Sequence, residues 1–557
     1  SIDGGTNGIT ANDVRNLAID TALVESISGS GVTLGAVQGA TLSELSIEGG
    51  VNAIAATKTD DLTIDTAAIS GISGKGVTLD SVSGAAISTL SIAGGTDAIT
   101  VTNTDDLNIR NVGISGHSGN GIALEDVSGA AISTLSIAGG TNAISANNSD
   151  ALIIDKAAVS GMSGNAITLG DVSGAAISTL SIQGGVNAIS ATNTNDLSIR
   201  DVAIEGHSAN GIALTNVAGA SISTLAVAGG IDAVTANGVR NLTIDTAQIS
   251  GVSGNGIALN NVLGATITNT AIRNTFICES STDCEYSIFA PDYVPNAAIN
   301  AVGVSDLTIK GVDIADVTYG IFISPDMEEV DYENTITSPS TNIDISDVQI
   351  TNSRREALLL VGASDIAIDN LHVDNSALDR DMDLVVFQTS HDISISNSTL
   401  QGGVNGLMFA YYFGIPGENP NDITVTNVDI ADTSRAGVFM NPSWDVDFAD
   451  VTVTNAGTYG IFFYGDAWGY QGGPVRDINF DDFTVTDAAE GAFYLAGPIE
   501  NIDGNIELAG ATSTCAADLG AWSGTTITQD AGMAFTINGV TVDNAWLAAE
   551  CEDKQPY

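Results

Sequence analysis

The sequence repeats one segment with a fixed period of 45 residues. The copies that begin at Gly84 and Gly129 read GAAISTLSIAGGTDAIT and GAAISTLSIAGGTNAIS, and further copies open at Gly39, Gly174, Gly219 and Gly264. A repeat of this kind is one supersecondary unit, and it buries its apolar face only by stacking on its neighbours. The sequence therefore predicts a solenoid rather than a globule.

Each repeat contains two coils. The apolar residues Leu62, Ile64, Ala67 and Ile69 define a spacing that returns every 22 or 23 residues through residues 17–272. Apolar residues two apart are typical of a strand, and the offset of three indicates a bend where the inward side changes. A second short strand follows, bounded by turns rich in Gly, Ser and Asn. The pattern predicts a stacked core column of Ile64, Ile109, Ile154, Ile199 and Ile244.

The same template continues after residue 275 with longer and less regular steps. Coils start at Leu307, Ile343, Ile366, Ile393, Ile423, Val446 and Ile478. Loops inserted after the second strand, at residues 324–341, 410–421 and 464–476, explain the longer steps. We therefore divide the chain into a regular part, residues 1–275, and an irregular part with a C-terminal cap, residues 276–557.

The coil DISISNSTLQGGVNGLMF at residues 392–409 resembles those of the right-handed parallel β-helix family, the pectate-lyase-like superfold found in repeat proteins of bacterial surfaces. The resemblance implies an all-β, right-handed parallel β-helix of about 19 or more coils. It is uninformative about chemistry, because that superfold hosts lyases, hydrolases, epimerases, adhesins and inert stalks.

The net negative charge limits the classes of partner that the protein is expected to bind. Asp and Glu outnumber Lys and Arg by 67 to 15, which argues against nucleic acid and anionic membrane surfaces as partners. No apolar run is long enough to insert into a membrane. The sequence indicates no cofactor, although Ca²⁺ between stacked carboxylates is an alternative to a plain solvated surface. The candidate ligands belong to two ladders of Asp and Asn whose primary role we expect to be structural, and they are Asp347, Asp432, Asp450, Asp482 and Asp487.

Four cysteines lie in the second part of the chain. We predict the disulfides Cys278–Cys284, within an insertion, and Cys515–Cys551, across the C-terminal segment. Their spacing does not fit a zinc site, and two disulfides favour an oxidising compartment. The sequence thus predicts a secreted bacterial protein of the cell surface or the extracellular space.

Aromatic residues are confined to the second part: all 4 Trp, 11 Tyr and 14 Phe follow Thr275. Stacking of the coils is expected to bring one group of them onto a single edge, which we call the aromatic wall: Tyr332, Tyr411, Tyr412, Phe413, Trp444, Tyr464, Trp468 and Tyr470. Three interpretations remain open. The loops pack on each other to cover apolar strands, or they form a sugar-stacking groove, or they dock another subunit.

Candidate catalytic residues are few. A lyase or epimerase needs a base, a proton donor and a stabilising cation, and the available groups are His372, Arg354, Arg380 and Tyr411. The outward neighbours of His372 on adjacent coils include no Lys, Arg or Tyr. Gly116-His117 and Gly206-His207 resemble the Gly-His of polygalacturonase-like enzymes. Sister repeats argue against that role, because they carry Ile72, Met162 and Val252 at the histidine position.

The sequence thus favours an extracellular structural or adhesive β-helix protein, a subunit of a surface filament, stalk or layer. Its expected partners are other copies of itself or flanking repeats, since Ser1 aligns with the middle of a repeat, and surface polysaccharide bound through the C-terminal loops. The alternative is a polysaccharide-active enzyme, either a lyase, epimerase or hydrolase or a phage-type depolymerase, on the same fold.

Overall fold

A computed structural model describes residues 1–275, 296–330, 333–377, 382–411, 419–466, 473–511, 513–518 and 525–554. The chain forms two compact units, unit 1 (Ser1–Val252) and unit 2 (Ser253–Tyr557). Both are parallel β-solenoids, which confirms the predicted all-β, right-handed parallel β-helix fold.

Unit 1 alternates one long and one short strand in each coil. The long strands are Arg15–Glu25, Gln38–Glu48, Asp60–Ser70, Ala86–Ala93, Ile153–Ser160, Ala176–Gln183, Asn195–Glu205, Ala218–Ala228 and Arg240–Ser250. The short strands are Ile9–Asn12, Ser30–Gly35, Asn52–Thr57, Val77–Asp80, Asn142–Asn147, Ile167–Gly170, Ile189–Thr192, Ile212–Thr215 and Val234–Asn237. The N-terminal strand Ile2–Asp3 pairs with Val24 and Glu25 and so belongs with the long strands. In two coils the short and long strands run on as Ile99–Ser115 and Asn120–Ala138.

The register of unit 1 confirms the predicted core column. Ile64 pairs with Ile87, Ile109 with Ile132, Ile154 with Ile177 and Ile199 with Ile222, which pairs with Ile244. The side chains of Ile64, Ile109, Ile154, Ile199 and Ile244 are all 0–1% exposed. The coils from Asp60–Ser70 to Arg240–Ser250 thus each add one isoleucine to a continuous buried column, and the coil before them adds Leu42.

A left-handed residue produces the bend within each long strand. The residue four places after each coil start has a φ near +50°, as at Glu44 (+48°), Thr66 (+53°) and Asn111 (+54°). This conformation reverses the inward and outward sides, which is why the apolar spacing shifts from two to three. In unit 2 the same position is Gly311 in one coil and Asp or Asn in most others, including Asp347, Asp450 and Asp482, since these residues tolerate the left-handed region.

Unit 2 keeps the same coil. Its long strands are Leu263–Thr268 with Ala271–Arg273, Ser305–Lys310 with Asp313–Val317, Thr341–Ser353, Ser364–Asp374, His391–Gln401, Asn421–Ala431, Trp444–Thr454, Val475–Thr486 and Pro498–Ala509. Its short strands are Ile257–Asn260, Ala297–Val302, Tyr319–Ser324, Leu358–Val361, Val385–Gln388, Leu407–Ala410, Val438–Met440, Tyr459–Tyr464, Gly491–Ala496 and Cys515–Ala517. The insertion after Tyr319–Ser324 contributes an antiparallel pair, Asp326–Val330 and Glu333–Ser338.

The C-terminal segment closes unit 2. It comprises the strands Thr526–Thr528, Phe535–Ile537, Val540–Thr541 and Glu552–Asp553 and the helix Asn544–Glu550. The Asp543 side chain caps the helix by accepting a hydrogen bond from Trp546 N at 2.8 Å. The predicted disulfide Cys515–Cys551 is confirmed, with a Cα–Cα distance of 4.9 Å. Cys278 and Cys284 lie outside the described residues.

Unit 2 has a second apolar layer on the outer face of its short strands. In unit 1 the outward residue of these strands is small or hydroxylated, as in Thr33, Thr78 and Thr168. In unit 2 the outward residues Phe322, Leu359, Val386, Phe439, Phe462 and Tyr494 are only 1–7% exposed. The short-strand sheet of unit 2 is therefore buried on both faces. Among the described residues, no helix has the length and apolarity required to cross a membrane.

Candidate functional site

An open groove of about 480 Å³ lies on the outer face of the long strands of unit 2. We call it the acidic groove. Four successive coils line it, through Asn342, Ile343, Asp344, Asp365, Ile366, Ala367, Asp392, Ile393, Ser394 and Asp422. Its polar lining thus consists mainly of carboxylates.

Three of the acidic side chains, Asp365, Asp392 and Asp422, stand at a second left-handed position, the residue before each coil start. Unit 2 has Gly264 at this position and then, from residue 306 on, an Asp or Asn with φ between +51° and +56°: Asp306, Asn342, Asp365, Asp392, Asp422, Asp445, Asp477 and Asn501. Because adjacent coils are about 4.8 Å apart, these side chains form one continuous column. We call it the aspartate column.

Glycine interrupts the equivalent column in unit 1. There Asp61, Asp106 and Asp196 alternate with glycines, and a Cβ built on Gly84 would lie 3.2 Å from Asp61 Oδ1. Glycine therefore satisfies the left-handed backbone without a carboxylate. Alanine is also found at this position, as Ala151 with a φ of +52°, so the backbone does not require an aspartate in successive coils.

Repulsion within the aspartate column is visible at Asp445. Burial raises the pKa of this carboxyl, and the carboxylates of Asp477 and Asp422 raise it further, against the opposing effect of Arg476. Neighbouring side chains contact several members of the column. Thr341 Oγ1 donates to Asp365 Oδ2 at 2.7 Å, and His391 Nδ1 lies 2.8 Å from Asp392 Oδ2. Asp477 accepts from Arg476 at 2.8 Å and from Asn501 Nδ2 at 2.9 Å.

The coil beyond the groove adds an aromatic ring. Trp444 pairs in register with Asn421 on one side and with Arg476 on the other. The Arg476 guanidinium carbon lies 4.8 Å from the centre of the Trp444 ring, within cation–π range. A partly exposed indole thus stands beside the aspartate column at Asp445.

The other members of the predicted aromatic wall are placed only in part. Tyr464 is partly buried and packs on an apolar cluster that includes Phe439, Phe462 and Tyr494. Tyr411 follows the short strand Leu407–Ala410 and is partly exposed. The remaining members lie outside the described residues, and they are Tyr332, Tyr412, Phe413, Trp468 and Tyr470.

The aromatic stack beneath Tyr464 forms part of the second apolar layer. The ring centres of Phe439 and Phe462 are 4.7 Å apart, and those of Phe462 and Tyr494 are 4.3 Å apart. The Arg435 guanidinium carbon lies 4.6 Å from the Phe439 ring. Because these rings are at most 7% exposed, they stabilise the fold and offer no open stacking surface.

The predicted catalytic residues occupy separate segments of the coil. His372 is exposed on the strand Ser364–Asp374, and its ring contacts Thr399 Oγ1 on the next coil. It pairs in register with Gln349 and Thr399, as the sequence indicates. Arg354 follows the strand Thr341–Ser353, and Arg380 lies outside the described residues.

Sequence reasoning missed a buried polar cluster two residues before the short strands, which we call the corner cluster: Glu356, Asp383 and Asn405. Asn405 donates to Asp383 Oδ1 through Nδ2 (2.6 Å) and its backbone N–H (3.2 Å). Asn405 Oδ1 accepts from Ala436 N at 3.2 Å. Glu356 Oε2 is buried without a hydrogen-bond partner among the described residues.

Burial determines the protonation of the corner cluster. Burial, with a smaller contribution from the nearby Asp383 carboxylate, raises the pKa of Glu356 to about 7. Burial also raises the pKa of Asp383, although the hydrogen bonds from Asn405 oppose this. In unit 1 the same position is a ladder of mostly asparagine, with Asp97 and Asp232 among the exceptions, and Asn165 N donates to Asn142 Oδ1 at 2.9 Å. Aligning the sequence on the short strands would have exposed the acidic substitutions in this ladder.

The candidate metal ligands occupy left-handed bends of the backbone. All five have φ of +52° to +55°, as expected for turn-forming residues: Asp347, Asp432, Asp450, Asp482 and Asp487. Asn370 donates to Asp347 at 2.9 Å and Asn455 to Asp432 at 2.6 Å, which ties adjacent coils together. Within the part of the chain that the structure describes, no three His, Cys, Asp or Glu side chains converge as a metal site requires.

Two family models match parts of the chain. Residues 297–471 match the right-handed β-helix region, and residues 6–179 match the periplasmic copper-binding protein NosD. Copper prefers imidazole, thiolate and thioether ligands. The matched residues 6–179 contain one histidine, His117, and one methionine, Met162, both buried and two coils apart. This part of the chain therefore does not fit a copper site.

Solved structures with similar folds have diverse functions. The surface adhesin PfbA of Streptococcus pneumoniae is 11% identical, with 86% of this chain and 85% of that chain covered and a TM-score of 0.28. The endo-xylogalacturonan hydrolase of Aspergillus tubingensis is 11% identical (67% and 92% covered, TM-score 0.27). The alginate lyase AlyGC is 11% identical (95% and 96% covered, TM-score 0.24).

In a comparison with curated protein sequences, no significant match is found. The structural similarities are too low to support an argument about chemistry. The β-helix match and the register of both units together establish that the chain is a right-handed parallel β-helix protein.

Proposed function

We propose that the chain is an extracellular adhesive β-helix protein in which unit 1 is a spacer and unit 2 binds glycan along the acidic groove. One observation carries this proposal: from Asp306 to Asn501 each coil of unit 2 has an Asp or Asn in the aspartate column, whereas glycine fills alternate coils in unit 1. Adjacent carboxylates repel each other, so their retention where glycine suffices favours a role in binding.

The chemistry of the groove favours neutral or amino-sugar glycans. Carboxylates are strong acceptors for sugar hydroxyls and ammonium groups, and an indole such as Trp444 offers a flat apolar face for a pyranose ring. Uronate polymers would be repelled, because Asp344, Asp365, Asp392 and Asp422 line the groove. The disulfide Cys515–Cys551 favours an oxidising, extracellular location.

Retention on insoluble polysaccharides tests the proposal. We expect the full chain to be retained on chitosan, retained more weakly on cellulose, and unretained by immobilised polygalacturonate. A net charge of −52 attracts any polycation, so a matched control is essential. Asp392→Asn with Asp422→Asn should release the protein from chitosan, whereas Asp106→Asn with Asp196→Asn, which changes the same charge in unit 1, should not. Equal retention of the two double variants would refute a specific groove.

The corner cluster favours a second candidate, hydrolysis of a polysaccharide. Glycoside hydrolysis pairs a protonated acid with a carboxylate, and the pKa of about 7 keeps Glu356 partly protonated at neutral pH. We would then expect release of reducing sugar ends that Glu356→Gln abolishes. Binding to chitosan without such release favours the adhesive function.

A further inference from the structure

One turn of unit 1 alternates a large buried side chain with a glycine. The large residues follow the long strands of every second coil, and they are Ile27, Ile72, His117, Met162, His207 and Val252. The next coil places a glycine over each of the first five: Gly50, Gly95, Gly140, Gly185 and Gly230. We call this arrangement the corner column.

The glycines make room for the large side chains. A Cβ built on Gly95 would lie 3.0 Å from Ile72 Cδ1, and one built on Gly140 would overlap the imidazole of His117. A Cβ on Gly230 would overlap His207 in the same way. The corner column therefore encloses each histidine in a cradle that the sister repeats fill with hydrocarbon or thioether.

Both imidazoles are deprived of water and of normal hydrogen bonds. His117 is 4% exposed and His207 is 3% exposed. Neither ring nitrogen of either residue makes a hydrogen bond of normal geometry to the described residues. An imidazolium carries two N–H donors, so protonation would leave an unsatisfied charge in the cradle.

Few groups oppose this penalty. Burial lowers the pKa of His117, and the carboxylate of Asp97 with the backbone of Asn142 compensates only in part. Burial likewise lowers the pKa of His207, opposed by the backbone of Asp232. Since the folded pKa lies below the reference value of 6.5, the unfolded state takes up protons first as pH falls. Stability contributed by the neutral rings is therefore present above that value and is lost below it.

We propose that His117 and His207 make unit 1 sensitive to acid. Mild acidification destabilises the coils that contain these histidines, while the coils around Ile72, Met162 and Val252 keep their stability. This inference is independent of glycan binding by unit 2. It makes the spacer, whose other buried side chains are aliphatic, hydroxylated or thioether, responsive to pH at the two coils that contain these histidines.

Hydrogen exchange of the full chain at pH 7.5 and pH 5, corrected for intrinsic rates, tests the proposal. We expect acidification to speed exchange several-fold in Asn120–Ala138 and Asn195–Glu205, and to leave Asp60–Ser70 unchanged. His117→Ile with His207→Ile, which introduces the residue type of Ile72 in the sister repeat, should remove this response. Ile72→His should transfer it to the coil around residue 72.

The histidine pKa values provide a second readout that does not depend on how the variants fold. The chain has only four histidines, so their NMR resonances can be assigned with single variants. We expect His117 and His207 to titrate below 6.5. Titration of both at or above 6.5, or uniform exchange across unit 1 at pH 5, would overturn the proposal.

Discussion

Units 1 and 2 build the same coil from different residues. Unit 1 has an aliphatic core, hydroxylated outer strands and glycine in alternate coils of its left-handed column. Unit 2 has aromatic residues in the core, apolar residues on the outer face of its short strands and, from Asp306 on, an aspartate or asparagine in each coil of that column. The backbone register is common to both, so the differences in side chains mark what unit 2 adds to a structural scaffold.

The largest effect is expected from a substitution that disrupts the core column of unit 1. Ile154→Asp places an unpaired charge where the side chain is 0% exposed, and it should cost several kcal/mol, about 3–5, of unfolding free energy. Urea denaturation followed by circular dichroism measures the loss. The neighbouring Ile153→Asp is the control, because Ile153 is 51% exposed and faces outward. Equal destabilisation by the two variants would contradict the assigned inward face.

The next effect concerns the closure of unit 2. Cys515→Ser with Cys551→Ser opens a loop of 36 residues and should cost about 2–4 kcal/mol. Since unit 1 contains no cysteine, its own transition should stay unchanged. Limited proteolysis, compared between the oxidised protein and the double variant, should show new cleavage only in the C-terminal segment. New cleavage within unit 1 would contradict the expectation that the disulfide stabilises only the C-terminal segment.

A smaller effect is a pH dependence of stability, which we expect from the corner cluster of unit 2 and not from the asparagine ladder of unit 1. The folded pKa of Glu356 is raised from 4.5 to about 7, so its contribution to stability is complete below about 4.5 and is lost as pH rises through 7. Thermal unfolding between pH 4.5 and 8 should show this decline, and Glu356→Gln should flatten it. The sign is opposite to that expected for His117, which separates the two responses. A decline that persists in Glu356→Gln would assign it to other groups.

The smallest effect tests repulsion in the aspartate column. Asp392→Asn with Asp422→Asn keeps the left-handed backbone and removes adjacent like charges, which should stabilise unit 2 by up to about 1 kcal/mol at low salt. Asp106→Asn with Asp196→Asn should have less effect, because the neighbouring coils carry glycine rather than a second carboxylate at this position. Unfolding at low and high ionic strength measures the difference, which added salt should abolish.

The sequence reveals the features that repeat and obscures those that do not. Strand alternation predicts the column through Ile154 because an inward side chain recurs at every coil. The ladder of Asp and Asn recurs in sequence because its members occupy the left-handed bends of the coil. The burial of Phe439 and Phe462 could not be predicted, because an outward aromatic residue looks the same whether a loop covers it or solvent does. Glu356 escaped notice because its environment depends on contacts between coils.

The most direct test of the central claim is a titration of the full chain with a short chitosan oligosaccharide in a calorimeter at constant ionic strength. If unit 2 binds through the acidic groove, Asp392→Asn with Asp422→Asn should weaken binding at least about tenfold, a loss of roughly 1.4 kcal/mol. The control Asp106→Asn with Asp196→Asn should bind as the unaltered protein does. Equal affinities for the two double variants, or no heat of binding to the unaltered protein, would contradict the claim that the continuous aspartate column is a binding surface.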